Sequence, residues 1–124
     1  MAHGEYTHIE IPADDPERAT AFYRGVFGWD FGLMDSMPDY WLYQVGGIGG
    51  AVGIRDRTAP HAIRDYIAVD SVDDALPKVE ALGGRVIEPK TEVPGFGWFA
   101  VVHDSEGNEI GLFESAPRPA GPGS

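Results

Sequence analysis

The 124-residue sequence contains no cysteine. Disulfides, thiolate nucleophiles and cysteine-based metal sites are therefore excluded. Cations are scarce as well: 9 Lys and Arg face 20 Asp and Glu, a formal net charge of -11. Nucleic acid is not an expected partner, because phosphate binding rests on Lys and Arg. The same deficit weighs against an anionic membrane surface. An acidic surface serves solubility first, and it favours encounter with cationic ligands or metal ions. No apolar run approaches the roughly 18 residues of a bilayer span. The N-terminus lacks the basic and apolar regions of a signal peptide, and a cytoplasmic location is the default expectation. The length suits one domain, or two very small repeated units sharing a core.

What is present alternates clearly. In Glu5 to Ile11, Thr7, Ile9 and Ile11 face one way and Tyr6, His8 and Glu10 the other, which predicts a strand ended by Pro12. Asp15 suits an N-cap and Pro16 the first helical position. Ala19, Phe22, Tyr23, Val26 and Phe27 then form one stripe at helical spacing, expected to be buried, and Gly28 closes the helix. Strands are predicted at Trp29 to Leu33, Tyr40 to Val45 and the glycine-weakened stretch to Ile54. That glycine cluster lacks the Lys-Ser/Thr of a phosphate loop and the register of a dinucleotide fold.

After a polar linker from Arg55 to Ala62 the pattern starts again. Tyr66 to Val69 is a strand with Ile67 and Val69 on one face. Ser71 caps a second helix with Val72, Ala75, Leu76, Val79 and Leu82 inward; Pro77 predicts a kink, and Gly83-Gly84 a stop. Arg85 to Pro89 is a strand and Glu92 to Gly97 a loop. Trp98 to Glu114 reads as strand, polar turn, strand, with Ile110, Leu112 and Glu114 on one face and Glu109, Gly111 and Phe113 on the other. An acid at the end of an apolar row points to a pocket. The segment 116–124 is rich in Pro, Gly and Ala and is expected to be disordered.

Two halves thus share the order strand, helix, strand, strand, strand. The predicted class is α+β: two tandem βαβββ modules, at 5–57 and 63–115 of one domain (1–115), with curved mixed sheets around a shared cavity. Trp41 and Tyr43, which alternation puts on one strand face, and Trp98 are the aromatic candidates for the cavity walls; Phe96 and Trp98 flank Gly97 at its rim.

The stretch from Asp15 to Trp29 resembles the first-helix signature of the vicinal oxygen chelate superfamily. This superfamily includes glyoxalase I, bleomycin-resistance proteins and extradiol dioxygenases. Glu80 to Val86 and Asp104 to Glu114 resemble its second-half signatures. The resemblance covers about residues 5–115. It implies paired βαβββ modules and a homodimer; it does not by itself imply one chemistry.

Metal-binding members carry four ligands on the cavity faces of the first and fourth strands of each half. By position His8 matches the first ligand and Glu114 the last. The second falls near Gly53, which has no donor, and the third on Tyr66, where these enzymes usually have histidine. His8 and Glu114 suit Zn, Ni, Fe or Mn, but two donors make a poor closed site. Glu10, on the face of His8, is a weaker substitute. His3, His61 and His103 are not expected ligands. The resemblance leaves two readings open. In one, a small aromatic or cationic molecule stacks between Trp41 and Trp98 and is held by Glu114 or His8, with no tightly bound metal. In the other, a divalent metal on His8 and Glu114 chelates vicinal oxygens of a substrate, or Glu114 acts as base with His8 or Tyr66 as acid.

Overall fold

The computed structural model describes residues 2–34, 37–55 and 62–117. His61, much of the expected linker and the tail beyond residue 117 lie outside the described residues. The architecture is α+β. The elements run β1 (Tyr6–Ala13), α1 (Pro16–Phe27), β2 (Gly32–Met34), β3 (Met37–Val45), β4 (Ile48–Ile54), β5 (Arg64–Ala68), α2 (Val72–Ala81), β6 (Arg85–Val93), β7 (Gly97–His103) and β8 (Glu109–Ser115). Among the described residues no helix is long and apolar enough to cross a membrane.

The chain divides into two compact units, Tyr6–Asp65 and Tyr66–Ser124 with Met1–Glu5. In the first, the strands lie in the order β2-β3-β4-β1. β1 runs parallel to β4, and β3 is antiparallel to both β2 and β4. In the second the order is β5-β8-β7-β6, with β5 parallel to β8. The first residues of the chain belong to the second unit: Gly4 N–H donates to Ala68 O at 2.7 Å and Ala68 N–H to Glu5 O at 2.8 Å. Glu5 therefore opens no first-unit strand. β1 instead runs through Pro12, which pairs with Gly53.

α1 begins as its sequence predicts. Asp15 accepts a hydrogen bond from Arg18 N–H at 3.1 Å, a cap worth about 1 kcal/mol. Gly28 closes the helix at φ 75°, a left-handed value that glycine adopts without a Cβ penalty. The buried stripe is not the expected one. Pro16 and Thr20 are buried, and Ala19 and Tyr23 pack on the core. Phe22, Val26 and Phe27 are each more than half exposed. The contact line on the sheet follows positions 16, 19, 20 and 23, so Phe22 and Val26 turn outward. Leu82, expected inward on α2, is likewise exposed beyond the helix end, and α2 continues through Pro77.

The cores are aromatic in the first unit and aliphatic in the second. Ile11, Ala13, Tyr43 and Val52 form the first, with Ile9, Ala19, Tyr23, Trp29, Phe31 and Trp41 packed against them. Trp29 stacks on Tyr23 at 5.2 Å and on Tyr43 at 4.8 Å. This draws Trp29 and Phe31 out of the predicted second strand, which shortens to Gly32–Met34. In the second unit Val72, Ala100, Val101, Val102 and Leu112 are buried.

Two glycines seat aromatic rings. A Cβ on Gly50 would collide with the Tyr43 ring and Ile9 O, and one on Gly111 with the Tyr66 ring. A Cβ on Gly49 would make only an ordinary contact, with Thr7 O at 3.9 Å. Gly111→Ala is therefore expected to destabilise by about 1–3 kcal/mol through overpacking. Gly49→Ala should be neutral or stabilising by about 0.4–1 kcal/mol through the unfolded chain. Urea unfolding of the two variants measures the contrast.

Candidate functional site

Alternation along β1 sends Ile9, Ile11 and Ala13 to the α1 side and leaves His8 and Glu10 on the opposite face. There they meet a side chain from β3. Tyr40 Oη donates to Glu10 Oε2 at 2.7 Å and lies 3.1 Å from His8 Nε2. A phenol has one proton. Because Glu10 receives it, the hydrogen bond to His8 must be donated by the imidazole, which sets the Nε2–H tautomer. Arg64 Nη1 lies 3.9 Å from Glu10 Oε1. Tyr40 and Arg64 are buried, and the Glu10 side chain is 13% exposed. A carboxylate so placed needs the neighbouring guanidinium and phenol to offset its desolvation.

Burial pushes the His8 imidazole below its ordinary value of 6.5, with the Glu10 carboxylate partly opposing. The side chain stays 29% accessible, so a neutral imidazole is presented at neutral pH. The linkage sign follows. A base depressed in the folded state contributes stability that is complete above pH 6.5 and is lost as pH falls from 6.5 through the folded value. Urea unfolding between pH 8 and 5 is expected to show that decline, and His8→Gln to lack this part of the slope.

The other expected site residues fall elsewhere. Tyr43 is a core residue. Its hydroxyl donates to Ile9 O at 3.0 Å, and burial pushes its pKa up to about 12, Tyr23 adding to the effect. Trp41 packs against the same core, with Nε1 buried and without a hydrogen-bond partner among the described residues. Both therefore face α1 and leave the His8 face. The reason is register: Tyr43 lies across from Gly50, which pairs with Ile9, and Trp41 across from Val52, which pairs with Ile11.

In the second unit Glu114 Oε1 accepts from Val72 N–H, the first residue of α2, at 2.9 Å. Glu114 thus sits on the helix side of its sheet as a capping anion, where the helix dipole favours negative charge. The expectation of a ligand on the face of Tyr66 is corrected accordingly. Trp98 pairs with Glu114 across the ladder, and Lys90 Nζ lies 5.0 Å from the Trp98 ring centre. Lys90 bonds Asp73 at 2.8 Å, which raises its pKa, with Glu114 adding. Trp98 therefore belongs to an ion-pair cluster at the α2 N-terminus. Tyr66 is buried, seated on Gly111 and edge-on to Phe99 at 6.4 Å. Phe96 is exposed in the turn before β7.

The chain is 34% identical over 120 residues to a glyoxylase-like domain-containing protein of Didymella fabae, covering 87% of this chain and 91% of that one. It belongs to the glyoxalase/bleomycin-resistance/dioxygenase group, the vicinal oxygen chelate superfamily. A bleomycin resistance protein-like N-terminal family model matches residues 6–46. CFP32 of Mycobacterium tuberculosis, whose name suggests a glyoxylase, is 31% identical over 113 residues, or 88% of this chain. The chain spans only 43% of that protein's length. A superfamily member from Vibrio splendidus superposes with a TM-score of 0.67 at 9% identity, covering 91% of this chain and 99% of that one, which speaks for the fold alone.

The superfamily's metal set does not fit the residues present. On the His8 face of β4 stand Gly49, Ala51 and Gly53, which carry no donor. The cross-strand partner of Tyr66 is Gly111, and Glu114 is turned to α2. Glu10 lies 3.9 Å from His8 but faces Arg64, whose charge opposes a cation there. Among the described residues no three His, Asp or Glu are placed to hold a metal. Sequence reasoning missed Tyr40 and Arg64 and undervalued Glu10. The one available signal was the shared face of His8 and Glu10.

Substitution separates the charge of Glu114 from its acceptor oxygen. Glu114→Ala should cost about 1 kcal/mol in urea unfolding. Glu114→Gln, which keeps an acceptor oxygen for Val72 N–H, should retain most of that stability.

Proposed function

We propose that this superfamily member binds a small oxygen-bearing organic molecule on the His8 face of its first unit, held by hydrogen bonds from the protein rather than through a metal. The observation that carries the reading is the chain His8–Tyr40–Glu10, closed by Arg64. It presents a neutral, partly accessible imidazole whose N–H is committed to Tyr40 and whose other ring nitrogen is an acceptor, a suitable anchor for a ligand hydroxyl group. An aromatic sandwich loses its support because Trp41 packs on the α1-side core and Trp98 lies at the α2 N-terminus. A cationic ligand is disfavoured by Arg64.

A second reading is enzymatic. An imidazole kept unprotonated at neutral pH within a hydrogen-bonded carboxylate–phenol series suits the role of general base, and the glyoxylase names of the relatives favour it. His8 would then exchange a proton with the bound molecule, while Tyr40 and Glu10 hold its ring and tautomer.

Both readings are tested by thermal shift and imidazole ¹⁵N NMR against a panel of small carbonyl and hydroxyl compounds in the presence of EDTA. A ligand at 100 times its Kd should stabilise the protein by about 2.7 kcal/mol. The response should vanish in His8→Ala and fall at least several-fold in Tyr40→Phe. Binding seen only with added divalent metal, or unchanged in both variants, would remove the proposal.

A further inference from the structure

On the other side of β1 lies a groove that the His8 face does not use. It has a volume of about 390 Å³, within the range of about 300–1,000 Å³ usual for small-ligand sites. Its floor is apolar, formed by Ile11, Ala13 and Ala19, and Phe22 and Tyr23 line it from α1. Those two rings meet edge to face at 5.4 Å, and Phe22 is 57% exposed. An exposed phenylalanine beside a concave apolar surface offers a face for a flat ring.

Charge around the groove is unevenly satisfied. Arg55 Nε bonds Asp14 Oδ1 at 2.9 Å, so these two lining charges compensate each other. Asp15 turns its carboxylate to the α1 backbone, accepting from Arg18 N–H. Arg18 also lines the groove. Among the described residues its guanidinium has no hydrogen-bond or ion-pair partner. A planar guanidinium recognises a carboxylate through two parallel hydrogen bonds.

We propose that this groove between β1 and α1 is a second small-molecule site, for a planar aromatic carboxylate: ring against Phe22 and Tyr23, carboxylate on Arg18. The site is separate from the His8 face because Ile11 and Ala13 point to the opposite side of the strand. Its fate is therefore independent of the function proposed above.

The test is a backbone ¹H–¹⁵N titration with 2-naphthoate, with the neutral 2-naphthamide as the charge control. Saturable shifts are expected at residues 11–23 and at Arg55. The apparent Kd should weaken at least tenfold for the amide and in Arg18→Met, and the shifts should be lost in Phe22→Ser. His8→Ala should leave them unchanged. Arg18 and Phe22 are exposed, so both variants are expected to fold, which their unliganded spectra report. Absence of saturable shifts, shifts confined to the His8 face, or equal affinity for acid and amide would overturn the proposal. So would occupation of the groove by a second copy, read as concentration-dependent shifts at Phe22 with a dimer by sedimentation.

Discussion

A single proton, on Tyr40 Oη, organises the polar face of the first unit. Glu10 accepts only, so the Tyr40 hydroxyl donates to it at 2.7 Å. Tyr40 then has only lone pairs left for His8, and the imidazole must donate. Glu10 in turn stays beside Arg64. In a low-dielectric setting each of these bonds is strengthened by its neighbours, and each group would be costly if left alone. The tautomer of His8, and hence what its ring offers a ligand, is decided two residues away from it in space.

The opposite face depends on the same alternation. Ile9, Ile11 and Ala13 give α1 a narrow apolar strip, and the aromatic series Tyr23, Trp29 and Tyr43 widens it. The glycines make this possible. Gly50 admits the Tyr43 ring and Gly111 the Tyr66 ring, at positions where any side chain would collide. The space over Gly111 is filled by the Tyr66 ring, so Gly111, which packs the second sheet there, carries no side-chain ligand of its own.

The superfamily's fold is thus present, while two of the four positions at which the resemblance places metal ligands hold Gly53 and Tyr66. His8 remains where the resemblance places a ligand, but its companions are a phenol, a carboxylate and a guanidinium. Glu114 remains at its sequence position and supports α2 instead. A fold does not fix a chemistry, because the chemistry rests on the side chains at a handful of strand positions.

The sequence by itself determined the local structure. The caps at Asp15 and Ser71, the stop at Gly28, the repeated order of elements and the separation of His8 and Glu10 from Ile9 and Ile11 all follow from short-range propensity and alternation. Only the tertiary structure decided which face of each strand meets a helix. Alternation groups Ile110, Leu112 and Glu114, and likewise Trp41 and Tyr43, without saying what they face. A helical stripe does not state how wide a sheet will cover it, so Phe22, Val26 and Phe27 were expected inside and lie outside. Tyr40 joins Glu10 and His8 across 30 and 32 residues of chain, and Arg64 joins Glu10 from still farther along it. No short-range pattern encodes that meeting, because it is set by strand register and burial, which exist only once the chain has folded.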